Sequence, residues 1–282
     1  MTELAVARSA WDRVKLARNP QRPHTLDYLH ELASEFVELH GDRTHSDDHA
    51  LIGGLARFGN RTVLVLGHQK GANTRENLVY NFGMVRPEGY HKADRLMRHA
   101  EKFGIPIVTF IDTPGGEPGI GAEERGQATA IAESLLTMAG LRVPIVAVVI
   151  GEGGSGGALA IGVADRLLML ENAVYAVVSP EGCAAILWKD AAKAPEAAAT
   201  MRMTAADLLG FGIIDEVISE PVPADEDPHA SIAAVGKAIN RHLNELAAAY
   251  PANTPDGLTR LLDARYNRFR HIGAWRDEQI PD

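Results

Sequence analysis

The chain has 282 residues, 46% of them hydrophobic and 23% charged, values that exclude a disordered polymer and suffice for a sizeable core. A formal charge of −9 argues against a general nucleic-acid binder. A single cysteine, Cys183, forbids an intrachain disulfide or a CxxC zinc site. The first residues carry Glu3, Arg8 and Asp12 and no signal-like apolar stretch, and the longest apolar strand, 143–150, has eight residues and a proline. That is well short of the ~18 needed to span a bilayer, so a cytoplasmic protein with no membrane segment is expected.

In chain order, Leu26, Leu29, Leu32, Phe36 and Leu39 recur at three- and four-residue steps and predict a helix with Thr25 as its N-cap. The charged stretch 40–50 reads as a solvated loop; its His40, Asp42, His45, Asp47, Asp48 and His49 have no metal-ligand spacing, and no metal is expected. Strands are predicted over 51–58, 62–69, 105–112, 143–150, 166–170 and 174–179, with helices over 89–103, 121–139, 157–164 and 180–192 between them. Strands alternating with helices imply an α/β fold with largely parallel pairing. Beyond Ala194 come an alanine-rich helix, a helix capped by Thr204, a short strand near 216–218, an acidic loop and two terminal helices.

An internal repeat organises the middle of the chain. The strand around Pro106 matches the strand around Pro144 at an offset of 38 residues, which places Gly115, Gly116 and Gly119 on Gly153, Gly154 and Gly157. Each copy is a buried strand, a glycine-rich turn and a helix, so each turn presents backbone N–H groups where negative charge is favoured. A third strand ends in Ser179-Pro180, an N-cap followed by proline at the first helical position.

Other motifs carry competing chemistry. Residues 153–157 satisfy the G-x-S-x-G of a nucleophile elbow, for which Asp165 or Asp215 with His229 or His242 stand in the right order. Asp112 to Gly115 fits a GTPase D-x-x-G, but no P-loop precedes it. Lys92, Arg95, Arg98, His99 and Lys102 share one helix face, and with Lys70, Arg75 and Arg86 upstream residues 68–102 hold seven Lys or Arg against four Asp or Glu. That face reads either as solvated or as the seat of a phosphate-bearing ligand or acidic partner.

The two glycine turns, the sequence from Thr204 to Ile218, and longer stretches identify a resemblance. RPHTLDY (22–28), GHQKG (67–71), NFGM (81–84), PEGY (87–90), FIDTPGGEPGIGAEERGQ (110–127), IGEGGSGGALAIGVADRLLML (150–170) and SPEGCAAILWKDAAKAP (179–195) resemble the α-subunit family of acetyl-CoA carboxylase carboxyltransferases, within the crotonase superfamily. The resemblance runs from about Trp11 to Gly273. It implies a crotonase-like spiral of repeated strand-strand-helix units with flanking N- and C-terminal helices: a helical segment over 1–50, a core over 51–220 and C-terminal helices over 221–282.

It also implies a reaction. The carboxyl group of carboxybiotin, presented by a biotin carboxyl carrier protein that biotin carboxylase loads, passes to acetyl-CoA and gives malonyl-CoA, the first committed step of fatty acid synthesis. Gly156 and Gly157 are implied as the backbone donors for the biotin oxygen, with Gly153 and Gly154 shaping their turn and Gly115, Gly116 and Gly119 forming the neighbouring loop. The implied partner is a β subunit bearing a zinc ribbon, in an assembly of two α and two β subunits. Replacing Gly157 with valine is expected to abolish transfer while the fold persists. Two departures stand out: Gly116-Glu117 replaces the family's alanine and aromatic, and the tail 274–282 has no counterpart. A self-sufficient acyl-CoA hydratase or hydrolase using Glu117, Glu123 or Glu124 is the alternative enzyme, and a scaffold without chemistry is the third.

Overall fold

The computed structural model describes residues 8–254 and 256–273, so the tail 274–282 lies outside the described residues. The chain opens with α1 (Ala10–Ala17) and α2 (Thr25–Leu32), then β1 (Phe36–Glu38), β2 (Leu51–Phe58) and β3 (Arg61–His68). Next come α3 (Thr74–Val79), α4 (Pro87–Lys102), β4 (Ile107–Thr113), α5 (Ile120–Glu124), α6 (Gln127–Gly140), β5 (Ile145–Gly154) and α7 (Ser155–Leu159). They are followed by β6 (Arg166–Leu170), β7 (Val174–Ala176), α8 (Pro180–Trp188), α9 (Ala194–Met201), α10 (Ala205–Gly210), β8 (Glu216–Ile218), α11 (Pro228–Ala249) and α12 (Gly257–Arg270).

The α/β expectation holds. One sheet runs β1-β2-β3-β4-β5-β6-β8, antiparallel through β1-β2-β3 and parallel from β3 onward, and β7 pairs with the end of β5 outside that order. Every residue of β4 and the first seven of β5 are buried, as central strands covered on both faces must be. Helices α4, α6 and α11 cover the sheet through Leu96, Met97, Met138, Ile239 and Leu243, all part of one apolar core. A smaller cluster of Val14, Ala17, Val174, Ala198 and Met203 fastens α1 to α9 and β7.

Local differences from expectation have physical causes. Helix α2 stops at Leu32, and Phe36 to Glu38 instead pair with Ala56 to Gly54 of β2. A longer helix would leave that edge of β2 without backbone partners, and Gly54 lets β1 lie against it, because a Cβ there would stand 2.3 Å from the Val37 carbonyl. Thr25 is the first helical residue rather than the cap; its hydroxyl donates to the His68 carbonyl, and Asp27 accepts from the His24 N–H. The expected helix over 121–139 is divided by Gly126, whose φ of 83° no helix interior accommodates. The caps at Ser179 and Thr204 form as read, accepting from Gly182 N and Asp207 N.

The 40–50 loop is solvated at Arg43, Thr44, His45, Ser46 and His49, as read, and is also ordered by its own hydrogen bonds. Asp42 accepts N–H groups from Thr44, His45 and Ser46, and Asp48 accepts those of Ala50 and Arg86. The basic face of α4 closes this loop: buried Lys92 pairs with Asp47 and donates to Asp48 O, while Arg95 donates to the carbonyls of His40 and Gly41. Lys92 and Arg95 are thereby engaged in the fold, while Arg98, His99 and Lys102 stay exposed, Arg98 paired with Asp94. No helix among the described residues is long and apolar enough to cross a membrane.

Candidate active site

Strands β3, β4 and β5 run parallel to their common neighbours and deliver their C-terminal ends to one side, where open α/β sheets place their ligand crevice. The glycine turns stand there, at residues 114–119 after β4 and 153–157 where β5 passes into α7. They pack backbone against backbone. A Cβ on Gly154 would lie 2.2 Å from the Pro114 carbonyl oxygen, and one on Gly157 would lie 2.6 Å from Gly115 C and Gly116 N. Only glycine permits that approach. The repeat read in the sequence therefore corresponds to two turns stacked in space.

The two implied donors differ in setting. Gly156 is partly exposed and lines a cleft of about 280 Å³ with Ser155, Leu159, Tyr175, Ala176, Val177, Leu208 and Ile213. Gly157 is buried against the first turn. Both N–H groups belong to the opening of α7, which has no side-chain cap, and neither has a backbone acceptor among the described residues. The Gly156 carbonyl accepts from Ala160 N at 2.9 Å, so the peptide between the glycines is aligned with the helix and its N–H faces away from it. Ser155 holds a left-handed φ of 50°, an outlier of the kind that accumulates at functional turns. Tyr175 packs under Gly153 and forms part of the cleft; burial pushes its hydroxyl up to about 12, so it stays protonated.

The expectation that a Gly157→Val chain keeps its fold is corrected by this packing, since the side chain would drive into the backbone of the first turn. At Gly156 a Cβ meets only the Ile131 side chain, at 3.5 Å, so this position tests the site cleanly. Gly116 and Gly119 face flexible groups, Gln127 Nε2 and Glu117 Oε1. Glu117 is occupied locally, accepting from Gly119 N at 3.0 Å and from the Asn81 amide, while Glu123 and Glu124 are exposed on α5.

Among the described residues, no relay reaches Ser155. Asp165 is bound by Arg265, Asp215 by Arg268 and the Leu167 N–H, His229 by Glu31, and His242 by Glu216. The nucleophile-elbow reading is therefore set aside: its candidate acids and bases hold other parts of the fold together.

Sequence reasoning missed a buried ionic network beneath the turns. Lys70 Nζ lies 2.8 Å from Asp112 Oδ1 and 2.9 Å from Glu152 Oε2; Asp112 Oδ2 faces His24 Nδ1 at 3.1 Å; Arg18 bridges Glu152 and Glu181. Burial opposes the charge on Asp112, but Lys70 and His24 outweigh it and hold the carboxyl well below its usual range. Burial likewise opposes the Lys70 ammonium, and Asp112 and Glu152 keep it protonated far above neutrality. His68, wholly buried beside them, accepts the Asp112 N–H weakly at Nδ1, and burial brings its ring down to about 4. The signal lay in GHQKG and IDTPGG, where Lys70 and Asp112 stand at the ends of apolar strands.

Comparison with known proteins follows the same lines. A family model described as acetyl co-enzyme A carboxylase carboxyltransferase-like matches residues 2–273. A protein of Synechococcus sp. (strain CC9311) named acetyl-coenzyme A carboxylase carboxyl transferase subunit alpha is 55% identical over 271 residues, 96% of this chain and 80% of its own. One of the same name from Acidithiobacillus ferrooxidans (strain ATCC 53993 / BNL-5-31) is 56% identical over 266 residues, 94% of this chain and 82% of its own. Among solved structures, the transcarboxylase 12S hexamer with methylmalonyl-coenzyme A bound superposes with a TM-score of 0.62 at 22% identity, over 80% of this chain and 44% of that one, a likeness of fold.

Proposed function

The chain belongs to the family of acetyl-CoA carboxylase carboxyltransferase α subunits, and we propose that the cleft beside Gly156 is where it handles the biotin side of that reaction. The observation that carries this reading is the N–H of Gly156 at the wall of an apolar cleft, without a backbone acceptor among the described residues, with that of Gly157 next to it at the opening of α7. Carboxybiotin, carried in by its carrier protein, supplies the carboxyl group that acetyl-CoA accepts. The contribution of this chain is electrostatic: fixed donors meet the ureido oxygen as negative charge gathers there, with no reorganisation at the moment of transfer. The cleft is lined by the apolar side chains of Leu159, Val177, Leu208 and Ile213, and burial of this wall in an assembly strengthens those hydrogen bonds by excluding water.

The other half of the site comes from a partner. Around the cleft the surface exposes Leu159, Val177, Leu209 and Phe211, and α8 exposes Ile186 and Leu187 nearby in sequence. An apolar surface of this kind is suited to burial in an assembly, and we place the zinc-ribbon β subunit and the acyl-CoA there, in an assembly of two α and two β subunits. The repeated units we read as successive turns of a crotonase-like spiral, with the two glycine turns on neighbouring coils.

The test uses the complex of this chain with its β subunit. Gly156→Val is expected to lower kcat for transfer about 100-fold, the effect of disabling one such donor, while Gly156→Ala and the wild type assemble alike. Undiminished turnover by the valine variant in an intact complex overturns the placement of the site.

A further inference from the structure

Asp112 is the next-to-last residue of β4, and Glu152 precedes the first glycine of the second turn. A single cation, Lys70, therefore holds both strands where each leaves the sheet, through contacts of 2.8 and 2.9 Å. The sheet itself leaves that point loose. Strands β4 and β5 pair residue for residue as far as Ile111 and Val149 and resume at Thr113 and Gly153, so β5 has two more residues than β4 across the gap. Three side-chain contacts bridge this interruption: the two ion pairs of Lys70 and the bond from Glu152 N to Asp112 Oδ1 at 3.0 Å. A Cβ on Gly151 would stand 2.4 Å from the same oxygen, so the absence of a side chain there lets the carboxylate lie against β5.

The outer members of the network fasten this clamp to the rest of the chain. His24 Nδ1 meets Asp112 Oδ2, and its side chain is 7% exposed; Arg18 joins Glu152 to Glu181 at the start of α8. The charged and titratable groups facing Lys70 are Asp112 and Glu152, with Arg18, Glu181, His24 and His68 behind them.

We propose that Lys70 is a positioning residue for carboxyl transfer: by binding Asp112 and Glu152 together it fixes the separation of the two glycine turns, and through it the aim of the Gly156 and Gly157 N–H groups. The proposal rests on the reading of those groups as the oxyanion donors. Donors of this kind act only at set distances, and displacement of about 1 Å lowers rates on the order of 100-fold.

The experiment compares Lys70→Met, Lys70→Arg and the double variant Lys70→Met/Glu152→Gln with wild type, each in complex with the β subunit. For Lys70→Met, kcat is expected to fall between about 10- and 100-fold with KM for acetyl-CoA within about twofold. Hydrogen exchange is expected to quicken in residues 113–119 and 153–159 and to stay unchanged in α12. Without the ammonium, two buried carboxylates face each other and one takes up a proton at higher pH. The kcat of Lys70→Met is therefore expected to recover from pH 8 to pH 6, where wild type is flat. The double variant, which removes that repulsion, is expected to regain several-fold at pH 8, and Lys70→Arg to exceed Lys70→Met. If Lys70→Met does not fold, the double variant, whose net charge of −1 equals that of the native trio, carries the kcat and hydrogen-exchange readouts.

Wild-type kcat in Lys70→Met overturns the proposal. So does a rise in KM alone, which would put Lys70 on the substrate, or a fall in kcat with neither faster exchange in the turns nor recovery at low pH. If Gly156→Val is inactive and Lys70→Met is not, only the clamp fails. If Gly156→Val retains full activity, the turn reading fails and the proposal with it.

Discussion

Two buried ion pairs lie at opposite ends of the same parallel strands. At the N-terminal end, Arg265 of α12 forks onto both oxygens of Asp165, and its remaining N–H groups reach the carbonyls of Met138, Leu141 and Val143. The two side chains are 1% and 3% exposed, and Asp165 also accepts the Ile145 N–H. At the C-terminal end, Lys70 and Glu152, with Asp112 behind them, line a cavity of about 220 Å³ shared with Arg18, Asn77 and Phe82, and the Nε2 atoms of His24 and His68 have no partner among the described residues. The first pair is saturated and sealed; the second is incompletely satisfied and sits beside the glycine turns. A protein uses the first arrangement to hold helices on a sheet and the second where geometry must serve chemistry.

Three measurements would break or sharpen that contrast. The largest effect is expected from Arg265→Ala, which strands a buried carboxylate and three carbonyls and should cost about 3–5 kcal/mol in urea unfolding. Per folded molecule, its kcat should stay within about twofold of wild type. A large fall in kcat at full stability would erase the distinction between the two ends.

Next comes acid sensitivity at the site end. The unfolded chain binds the His68 proton near the ordinary 6.5, and the folded chain binds it only near 4. Stability is therefore lost as pH falls through that interval, by up to ~3 kcal/mol for a fully buried ring. His68→Asn should flatten the difference in urea midpoint between pH 6.5 and 4.5, and an equal slope in both proteins would show that the ring is not held neutral by burial.

The smallest effect is expected on the same helix as Arg265. Arg260 pairs with Asp256 at 3.1 Å one turn away, both side chains more than half exposed. Arg260→Ala should change stability by less than about 0.5 kcal/mol. A loss approaching that of Arg265→Ala would mean that α12 is held by its charge rather than by burial of one guanidinium.

Much of this molecule was legible in the order of its residues. Periods of two and three to four residues marked most strands and helices, because apolar spacing reports which face is buried. Ser179 and Thr204 announced their caps, since capping is settled within four residues. The stacked glycine turns were legible as a repeat, as was the family. Phe36 misled because its spacing suits a helix and a strand equally, and only the open edge of β2 decides between them.

What the tertiary structure alone decided is long-range pairing. Lys70 meets carboxylates 42 and 82 positions away, and Arg265 finds Asp165 at a distance of 100. No local pattern encodes such partners: a lysine at a strand end reads as an ordinary polar terminus until the sheet register brings two acids to it. The same holds for the glycines. Their composition marked a close approach, but which of Gly156 and Gly157 faces the cleft and which packs on the first turn depends on how two strand ends, interrupted in register, are held against each other.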